Sequence, residues 1–295
     1  MNLEYKGVFP ANPTPVDSNG KINEKALKAI FEDNLSHGVG GFWVGGSTGE
    51  GPLFNDYQRE DIARITGETI SGKALSIMHV GAVSTDSAVL GAKAAKKHGC
   101  DAICCVPPFF LGRQEKNVIE HYKKVSDAAD GLPFFVYNLP QLTYFETTPT
   151  FMENLVMEVE NVVGLKHSAP NFGDISAFNK MGLKCFVGNS ALPLPALTIG
   201  AVGVVDAPPS VAPWLFVDLY NSWVEGNFKK AQDKQDKVQS IVQLVRTFAN
   251  PAGVTKTILS ERTGVDCGLP VEPNLPLSQS EKKFIISQAK KLGLL

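Results

Sequence analysis

The chain has 295 residues, of which 43% are hydrophobic and 20% charged, with a formal net charge of −2, the composition of an ordinary globular protein with a large core. A net charge near zero argues against nucleic acid or an anionic membrane surface as the main partner. The five cysteines form no C-x-x-C motif, so we expect a cytoplasmic protein without a disulfide framework or zinc ribbon. No run approaches about 18 apolar residues, and we expect neither a signal peptide nor a membrane span.

Short apolar runs alternate with amphipathic stretches of helical length along residues 1–225. The predicted strands are Gly7–Ala11, Gly41–Val44, Leu75–Val80, Ala102–Val106, Pro133–Tyr137, Val162–Lys166, Cys185–Gly188 and Gly203–Asp206. The predicted helices between them are Glu24–His37, Asp56–Ser71, Thr85–His98, Glu115–Ala129, Thr148–Glu158, Gly173–Met181, Ala191–Ile199 and Val211–Glu225.

Strict alternation of strands and helices predicts right-handed βαβ units and a parallel sheet, which places the chain in the α/β class. Eight units within residues 1–225 fit a closed (β/α)8 TIM barrel better than an open sheet. Residues 226–295 are expected to form a C-terminal helical extension of the same domain. Its predicted helices are Phe228–Ala249, Ala252–Thr263 and Gln279–Leu292.

Lys166 ends the sixth predicted strand, at the end of a barrel where catalytic groups lie. Burial disfavours the charged form of an amine, and a neutral amine can attack a carbonyl carbon to form a Schiff base. The alternative is a strand-end lysine whose ammonium group reaches water. Strand alternation places Gly164 and Ser168 on the face of Lys166 and turns Val163 and Leu165 toward the helices. Glycine at 164 is expected to leave room for Lys166.

Two other predicted strand ends carry groups suited to catalysis. After the second strand, Gly45–Gly51 offers backbone amides and the hydroxyls of Ser47 and Thr48, which suit a carboxylate or a phosphate. The alternative is a simple tight turn. At the end of the fifth strand, Tyr137 can transfer a proton through its phenol. The alternative is a core aromatic residue whose hydroxyl is hydrogen-bonded.

The five histidines are scattered without the spacing of metal ligands, so no metal site is expected. His79 is interpreted as a hydrogen-bonded core histidine inside the third strand. His167 follows Lys166 directly, and strand alternation therefore points it away from that lysine.

In chain order, Gly45–Glu50, Tyr137–Pro140 and Gly164–Lys166 resemble the motifs of the dihydrodipicolinate synthase and N-acetylneuraminate lyase family of class I, pyruvate-dependent aldolases. The resemblance spans nearly the whole chain, from Phe9–Pro15 at one end to Leu269–Leu277 at the other.

The resemblance implies a role for each of these groups. Lys166 would form an imine with C2 of pyruvate or another 2-oxo acid, and Tyr137 would shuttle protons. Ser47 and Thr48 would bind the carboxylate of the 2-oxo acid. The resemblance further implies a homotetramer that needs no metal and no cofactor.

The residues that would select the second substrate depart from that family's patterns. Gln141–Thr143 stands where the synthases carry an arginine for a second carboxylate, and Phe109 and Phe110 lack the hydroxyl of the tyrosine that a neighbouring subunit supplies. Gly188–Ala191 stands where the lyases carry an acidic pair that binds the sugar. We therefore expect poor use of aspartate semialdehyde. The candidate substrate contacts beyond Ser47 and Thr48 are Ser168, Gly188, Asn189, Ser190, Val205 and Asp206.

The sequence thus predicts a lyase that cleaves or forms a carbon–carbon bond between pyruvate and an aldehyde, acting on a 2-oxo-3-deoxy acid such as a sugar acid. One alternative is a dehydratase, in which the same enamine expels a 4-hydroxyl group; another is dihydrodipicolinate synthase. A third is a non-catalytic paralogue that binds 2-oxo acids. Lys166 argues against the third, because a binding protein does not need a Schiff-base lysine.

Overall fold

The computed structural model describes residues 4–248 and 250–295 and contains, within these residues, eight strands and thirteen α-helices. The strands are β1 (Gly7–Val8), β2 (Gly41–Val44), β3 (Leu75–His79), β4 (Ala102–Cys105), β5 (Phe134–Asn138), β6 (Val162–His167), β7 (Lys184–Val187) and β8 (Gly203–Val204). The helices are α1 (Glu24–Leu35), α2 (Asp56–Ile70), α3 (Thr85–Lys97), α4 (Glu115–Ala128), α5 (Pro140–Thr143), α6 (Pro149–Glu158), α7 (Asp174–Lys180), α8 (Pro193–Thr198), α9 (Pro208–Val211), α10 (Pro213–Val224), α11 (Phe228–Val245), α12 (Pro251–Thr263) and α13 (Gln279–Lys291).

All strand pairs are parallel, and the strand order is β1-β8-β7-β6-β5-β4-β3-β2. Backbone bonds from Gly40 N to Val8 O and from Trp43 N to Pro10 O, both 3.0 Å, join the two ends of this sheet. The sheet therefore closes into a nearly complete barrel with the helices outside, which confirms the predicted (β/α)8 architecture.

The predicted helix signals are confirmed where cap chemistry is clear. Thr148 accepts a hydrogen bond from Phe151 N at the start of α6, and Gly99 follows α3 with a positive φ of 73°. Two short helices that begin at proline, α5 and α9, were not predicted. Helix α11 ends at Val245, earlier than the predicted Ala249, which itself lies outside the described residues.

A register shift between β5 and β6 makes the prediction for Val163 wrong. Phe134 pairs with Val162 and Phe135 pairs with Gly164, so Val163 has no partner in β5 and packs on the barrel interior, while Leu165 faces the helices as predicted. A Cβ at Gly164 would lie 2.2 Å from the carbonyl oxygen of Lys184. Glycine at 164 therefore permits close approach of β7.

Four aromatic side chains fill the middle of the barrel, one from each of four strand segments. Phe9, Trp43, Phe135 and Phe186 are each at most 1% exposed. Their ring centres lie 4.8 Å apart for Phe9 and Phe186 and 5.6 Å apart for Trp43 and Phe135, in tilted or edge-on arrangements. This aromatic floor closes the barrel and leaves only its C-terminal mouth for a site.

Helices α11, α12 and α13 pack beside the barrel helices. Arg262 of α12 forms an ion pair with Asp33 of α1, with Nε 3.1 Å from Oδ1, and also donates to the carbonyl of Ser210. Among the described residues, no helix combines the length and apolar character that crossing a membrane requires.

Candidate active site

Lys166 and Tyr137 are register partners on the neighbouring strands β6 and β5. Because both side chains point into the barrel, the Lys166 Nζ atom lies 4.4 Å from the centre of the Tyr137 ring and 5.8 Å from that of Trp43. Each of the two residues is 3% exposed. The structure therefore brings together the predicted amine and the predicted phenol in a largely buried position.

The Gly45–Gly51 loop folds back over the same strand ends. The Ser47 hydroxyl lies 3.2 Å from the Tyr137 hydroxyl, while Thr48 is half-buried beside it. The turn is tight, because Gly51 N donates to Gly46 O and a Cβ at Gly51 would lie 1.7 Å from Gly45 O. Glycine is required for this close approach, so the loop is more specific than an ordinary turn.

His79 is a buried, hydrogen-bonded histidine of the third strand, as predicted, and the structure places it next to Tyr137 as well. Its ring stands edge-on to the Tyr137 ring, 5.9 Å between centres, and its Nδ1 lies 3.2 Å from Gly45 O. Since a carbonyl only accepts, Nδ1 carries the proton and Nε2 is the unprotonated nitrogen. Burial, together with the positive charges of Arg59 and Lys166, lowers the pKa of His79 to about 3. Its position on the same strand face as Leu75 and Ile77 was a signal that this side chain points inward.

Gly188 makes the room beside Lys166 that the sequence had assigned to Gly164. A Cβ at Gly188 would lie 3.2 Å from Lys166 Cε and 1.9 Å from Ser168 Oγ. The Ser168 hydroxyl donates to Gly188 O at 3.3 Å. Both residues therefore lie where predicted, next to the amine.

The candidate contacts after β7 and β8 mostly bond to one another. Asp206 accepts from Ser190 N at 2.9 Å and from Ala207 N at 2.8 Å, and Asn189 accepts from Ala191 N at 3.1 Å. Val205 is fully buried in the barrel interior. In this arrangement Asp206 links the two strand ends, and the roles of these residues toward a substrate stay predictions.

Two cavities open at the barrel mouth, and Ser47 lines both. The first, of about 290 Å³, is mainly apolar and includes His79, Tyr137, Phe109 and Leu142. The second, of about 270 Å³, is the more polar of the two and is called the polar cavity below. Its lining combines the polar residues Thr48, Glu50, Asp206, Arg246, Asn250 and Asn274 with the apolar residues Ala207, Pro208, Val245, Pro251 and Ala252. Lys166 lines neither cavity.

Arg246 was not singled out in the sequence, because it lies within the predicted helix Phe228–Ala249 of the C-terminal extension; in the structure it follows the end of α11. Its guanidinium lies 3.9 Å from Asp206 and about half of the side chain is exposed. It is therefore a basic group at the barrel mouth that strand and helix patterns did not predict.

The site offers no cluster of metal ligands. Among the side chains of residues 4–248 and 250–295, no group of three or more His, Cys, Asp or Glu is arranged to hold a metal ion.

Known proteins share both the sequence pattern and this geometry. The family model for the dihydrodipicolinate synthetase family matches residues 4–292. N-acetylneuraminate lyase 2 of Escherichia coli is 29% identical over 99% of this chain and 96% of its own length. The 4-hydroxy-tetrahydrodipicolinate synthase of Endomicrobium trichonymphae is 29% identical over 95% of this chain and 98% of its own.

Solved structures are also similar to this chain in fold. The wild-type sialic acid aldolase of Ruminococcus gnavus has a TM-score of 0.93 at 26% identity, covering 98% of this chain and 97% of that one. The catalytic lysine mutant of the same aldolase has a TM-score of 0.93 at 25% identity, covering 98% of this chain and 96% of that one. The dihydrodipicolinate synthase of Aquifex aeolicus has a TM-score of 0.90 at 26% identity, with 98% of each chain covered.

Proposed function

Because the chain belongs to the dihydrodipicolinate synthetase family, we propose that Lys166 and Tyr137 carry the chemistry of a class I, pyruvate-dependent aldolase. The chain is an enzyme of the lyase and aldolase type, as its relatives are. The catalytic roles of Lys166 and Tyr137 and the identity of the substrate are proposed.

The observation that carries the proposal is the contrast between two buried lysines. Lys256 is 1% exposed, and its Nζ donates to the carboxylate of Glu50 at 2.7 Å. Lys166 is 3% exposed, yet among the described residues no carboxylate lies within 4.0 Å of its Nζ. The Lys166 amine is thus not engaged by a carboxylate and lies beside the Tyr137 ring, where it is available to attack a carbonyl carbon. The related sialic acid aldolase likewise has a catalytic lysine.

The proposed reaction begins when Lys166 Nζ attacks C2 of a 2-oxo acid. Loss of water from the resulting carbinolamine gives an imine, which withdraws electrons from the neighbouring carbon–carbon bond. The bond between C3 and C4 breaks, its electron pair enters the enamine, and the aldehyde leaves as the C4 hydroxyl gives up its proton. Protonation of the enamine at C3 and hydrolysis of the imine then release pyruvate and restore the amine.

Tyr137 is the proposed proton carrier for these steps. Its hydroxyl lies beside Ser47 Oγ, at 3.2 Å, on the side of the ring that faces the cavities, and its ring contacts Lys166 Nζ. A phenol in this position can protonate the departing water of the carbinolamine and take up the proton of the C4 hydroxyl. The hydroxyls of Ser47 and Thr48 and the amides of their loop would hold the 2-oxo acid carboxylate.

The polar cavity supports a hydroxylated substrate, a 2-oxo-3-deoxy acid of the sugar-acid type. Thr48, Asp206, Asn250 and Asn274 line this cavity next to Ser47 and offer hydrogen-bond partners for hydroxyl groups. Ser168, Gly188, Asn189 and Val205 remain the proposed contacts nearer the imine. Dehydration of such an acid by the same enamine stays an open alternative.

One observation keeps dihydrodipicolinate synthesis as a second candidate. Gln141 carries no charge, which fits the predicted poor use of aspartate semialdehyde. Its side-chain amide donates to the carbonyl oxygen of Ser168. Arg246, however, places a guanidinium in the polar cavity and could pair with a second carboxylate. The predicted poor use of aspartate semialdehyde stays a prediction.

We further infer a homotetramer in a reducing cytoplasm. Large apolar side chains near the apolar cavity are exposed, among them Phe110, Leu111 and Leu142, which supports burial against another subunit. The five cysteines all lie within the described residues and are free, buried thiols, as a reducing compartment favours. Light scattering of the purified protein would test the tetramer.

Borohydride trapping tests the proposed chemistry. Incubation with pyruvate and borohydride should add a stable mass to the peptide that contains Lys166 and leave the Lys256 peptide unmodified. Lys166→Arg keeps a positive charge but cannot form the imine, so it should prevent the modification. Labelling of another lysine in place of Lys166, or persistence of the label in Lys166→Arg, would refute the assignment.

A further inference from the structure

Glu50 is the only carboxylate-bearing residue of the Gly45–Gly51 loop, and it lies two positions after Thr48. Its backbone is left-handed, with φ of 55° and ψ of 21°, although it is not a glycine. Such a conformation is unfavourable for a residue with a Cβ and persists where surrounding contacts enforce it. The contacts of the Glu50 side chain are therefore expected to determine the shape of this loop.

All hydrogen bonds of that side chain lead to the segment that follows the barrel. Oε2 accepts from Lys256 Nζ at 2.7 Å, and Oε1 accepts from Val271 N at 2.8 Å and from Asn274 Nδ2 at 3.1 Å. Lys256 Nζ also donates to Leu269 O at 2.8 Å. Both charged side chains are at most 3% exposed. Helix α12 and residues 269–274 thus hold the loop through a buried, fully bonded ion pair.

Two further contacts hold the loop from the barrel side. The imidazole of His79 lies 3.2 Å from Gly45 O, and the Thr14 hydroxyl donates to Gly49 O at 2.7 Å. Ser47 and Thr48 lie between Gly45 and Gly49, and Glu50 follows Gly49 directly. Of the three contacts, the one through Glu50 is the only one between charged groups, and both of its side chains are buried.

We propose that Glu50 and Lys256 are positioning residues, which place Ser47 and Thr48 for the carboxylate of the 2-oxo acid. The inference rests on the proposed function of these two hydroxyl residues. Neither charged residue touches the reacting atoms. Their effect should therefore fall on the half-saturating concentration of the 2-oxo acid, with much less effect on the rate at saturation.

Removal of one partner alone leaves a buried charge without its counter-ion, and Glu50→Gln or Lys256→Met is therefore expected to destabilise the fold strongly. For that reason the informative variant is the double substitution Glu50→Gln/Lys256→Met, which removes both charges at nearly constant volume. Exchange of a buried ion pair for neutral groups is often neutral for stability. Asp33→Asn is the matched control, because it breaks the ion pair that joins α12 to α1 without contacting the loop.

The experiment measures borohydride trapping as a function of pyruvate concentration. A misplacement of about 1 Å can cost about 100-fold, so the double variant should raise the half-saturating concentration at least about tenfold. Its trapping rate at saturating pyruvate should stay within about threefold of wild type, and Asp33→Asn should leave both values within about twofold. Equal half-saturation in wild type and a folded double variant would overturn the inference.

A second measurement separates this inference from the proposed function. Hydrogen exchange of the peptide that covers residues 45–51 should be faster in the double variant than in wild type and unchanged in Asp33→Asn. Absence of trapping in wild type would refute the Schiff-base function while leaving this result intact. Unchanged exchange in the double variant would instead show that the ion pair does not hold the loop, and would overturn the inference even if wild type is trapped.

Discussion

The ε-amino nitrogen of Lys166 lies 4.4 Å from the centre of the Tyr137 ring, because the two residues are direct partners in the register of neighbouring parallel strands. Strand pairing alone therefore sets the spacing of amine and phenol. Neither side chain depends on a flexible loop for its position, since both are backed by the aromatic floor of the barrel. Ser47, which belongs to a loop, is the part of the arrangement that needs additional support.

Tyr137→Phe removes one hydroxyl and almost no volume, so the fold should persist. General acid–base catalysis typically contributes about 10²–10⁴-fold, and turnover should fall within that range. Tyr144→Phe is the control, because this tyrosine is largely exposed. Steady-state kinetics on the authentic substrate would measure both variants. A Tyr137→Phe rate equal to that of the Tyr144→Phe control would assign Tyr137 a purely structural role.

Gly188→Ala should impair imine formation, because the new methyl group would meet Ser168 Oγ at 1.9 Å and Lys166 Cε at 3.2 Å. Displacement of the lysine by about 1 Å should slow trapping by roughly 10–100-fold. Gly173→Ala is the control, since a Cβ there meets no atom within 4 Å. The double variant Gly188→Ala/Ser168→Ala removes one clash and should recover part of the loss. Full trapping in Gly188→Ala would show that the lysine has more room than the structure indicates.

His79 should make the fold sensitive to acid. Because its pKa in the folded protein is lowered from 6.5 to about 3, the unfolded chain takes up this proton first as pH falls. The stability associated with neutral His79 is therefore complete above pH 6.5 and is lost progressively as pH falls toward 3. Between about pH 7 and about pH 5 this group should account for a loss of about 2 kcal/mol in the free energy of unfolding.

Denaturant unfolding at those two pH values would measure this effect. His79→Gln should show a smaller loss on acidification than wild type, by about the same 2 kcal/mol. His37→Gln, at the end of α1, serves as the control and should follow wild type. An identical pH dependence in wild type and His79→Gln would contradict the burial of a neutral imidazole.

Arg246 should determine the activity of the enzyme with an aldehyde that carries a carboxylate. With saturating pyruvate, we expect a higher kcat/KM for neutral hydroxylated aldehydes than for aspartate semialdehyde, because Gln141 offers no charge and Asp206 partly neutralises Arg246. Any activity with the semialdehyde should fall about 10–150-fold in Arg246→Gln, the equivalent of about 1.5–3 kcal/mol for a charge-assisted contact. Arg113→Gln is the control. A semialdehyde preference that survives Arg246→Gln would place the second carboxylate elsewhere.

Local patterns predicted the barrel and placed Lys166 and Tyr137 at its strand ends, while their catalytic roles came from the family resemblance and stay predictions. Apolar runs with glycine and proline at their ends define the strands, and Lys166 and Tyr137 follow from strand alternation. The same alternation failed at Val163, because a register shift depends on how two strands meet and leaves no mark in either strand alone. Strand alternation also did not reveal that Gly188 on the neighbouring strand end lies beside Lys166.

The remainder of the site depends on contacts between distant parts of the chain. Glu50 and Lys256 are 206 positions apart, and Arg246 enters the polar cavity from a helix end beyond the barrel. No periodicity links such residues. His79 differs, because it was predicted as a hydrogen-bonded core histidine, and only its partner Gly45 O and its contact with Tyr137 were beyond prediction.

The aromatic floor also determines the route by which substrates reach Lys166 and products leave it. The barrel is closed below Lys166 by the side chains of Phe9, Trp43, Phe135 and Phe186. Substrates and products must therefore enter and leave through its C-terminal mouth. During the proposed cleavage, the three-carbon fragment stays bonded to Lys166, while the aldehyde lies between this fragment and the C-terminal mouth. Because the three-carbon fragment is released only when the imine is hydrolysed, we expect the aldehyde to leave first and pyruvate last.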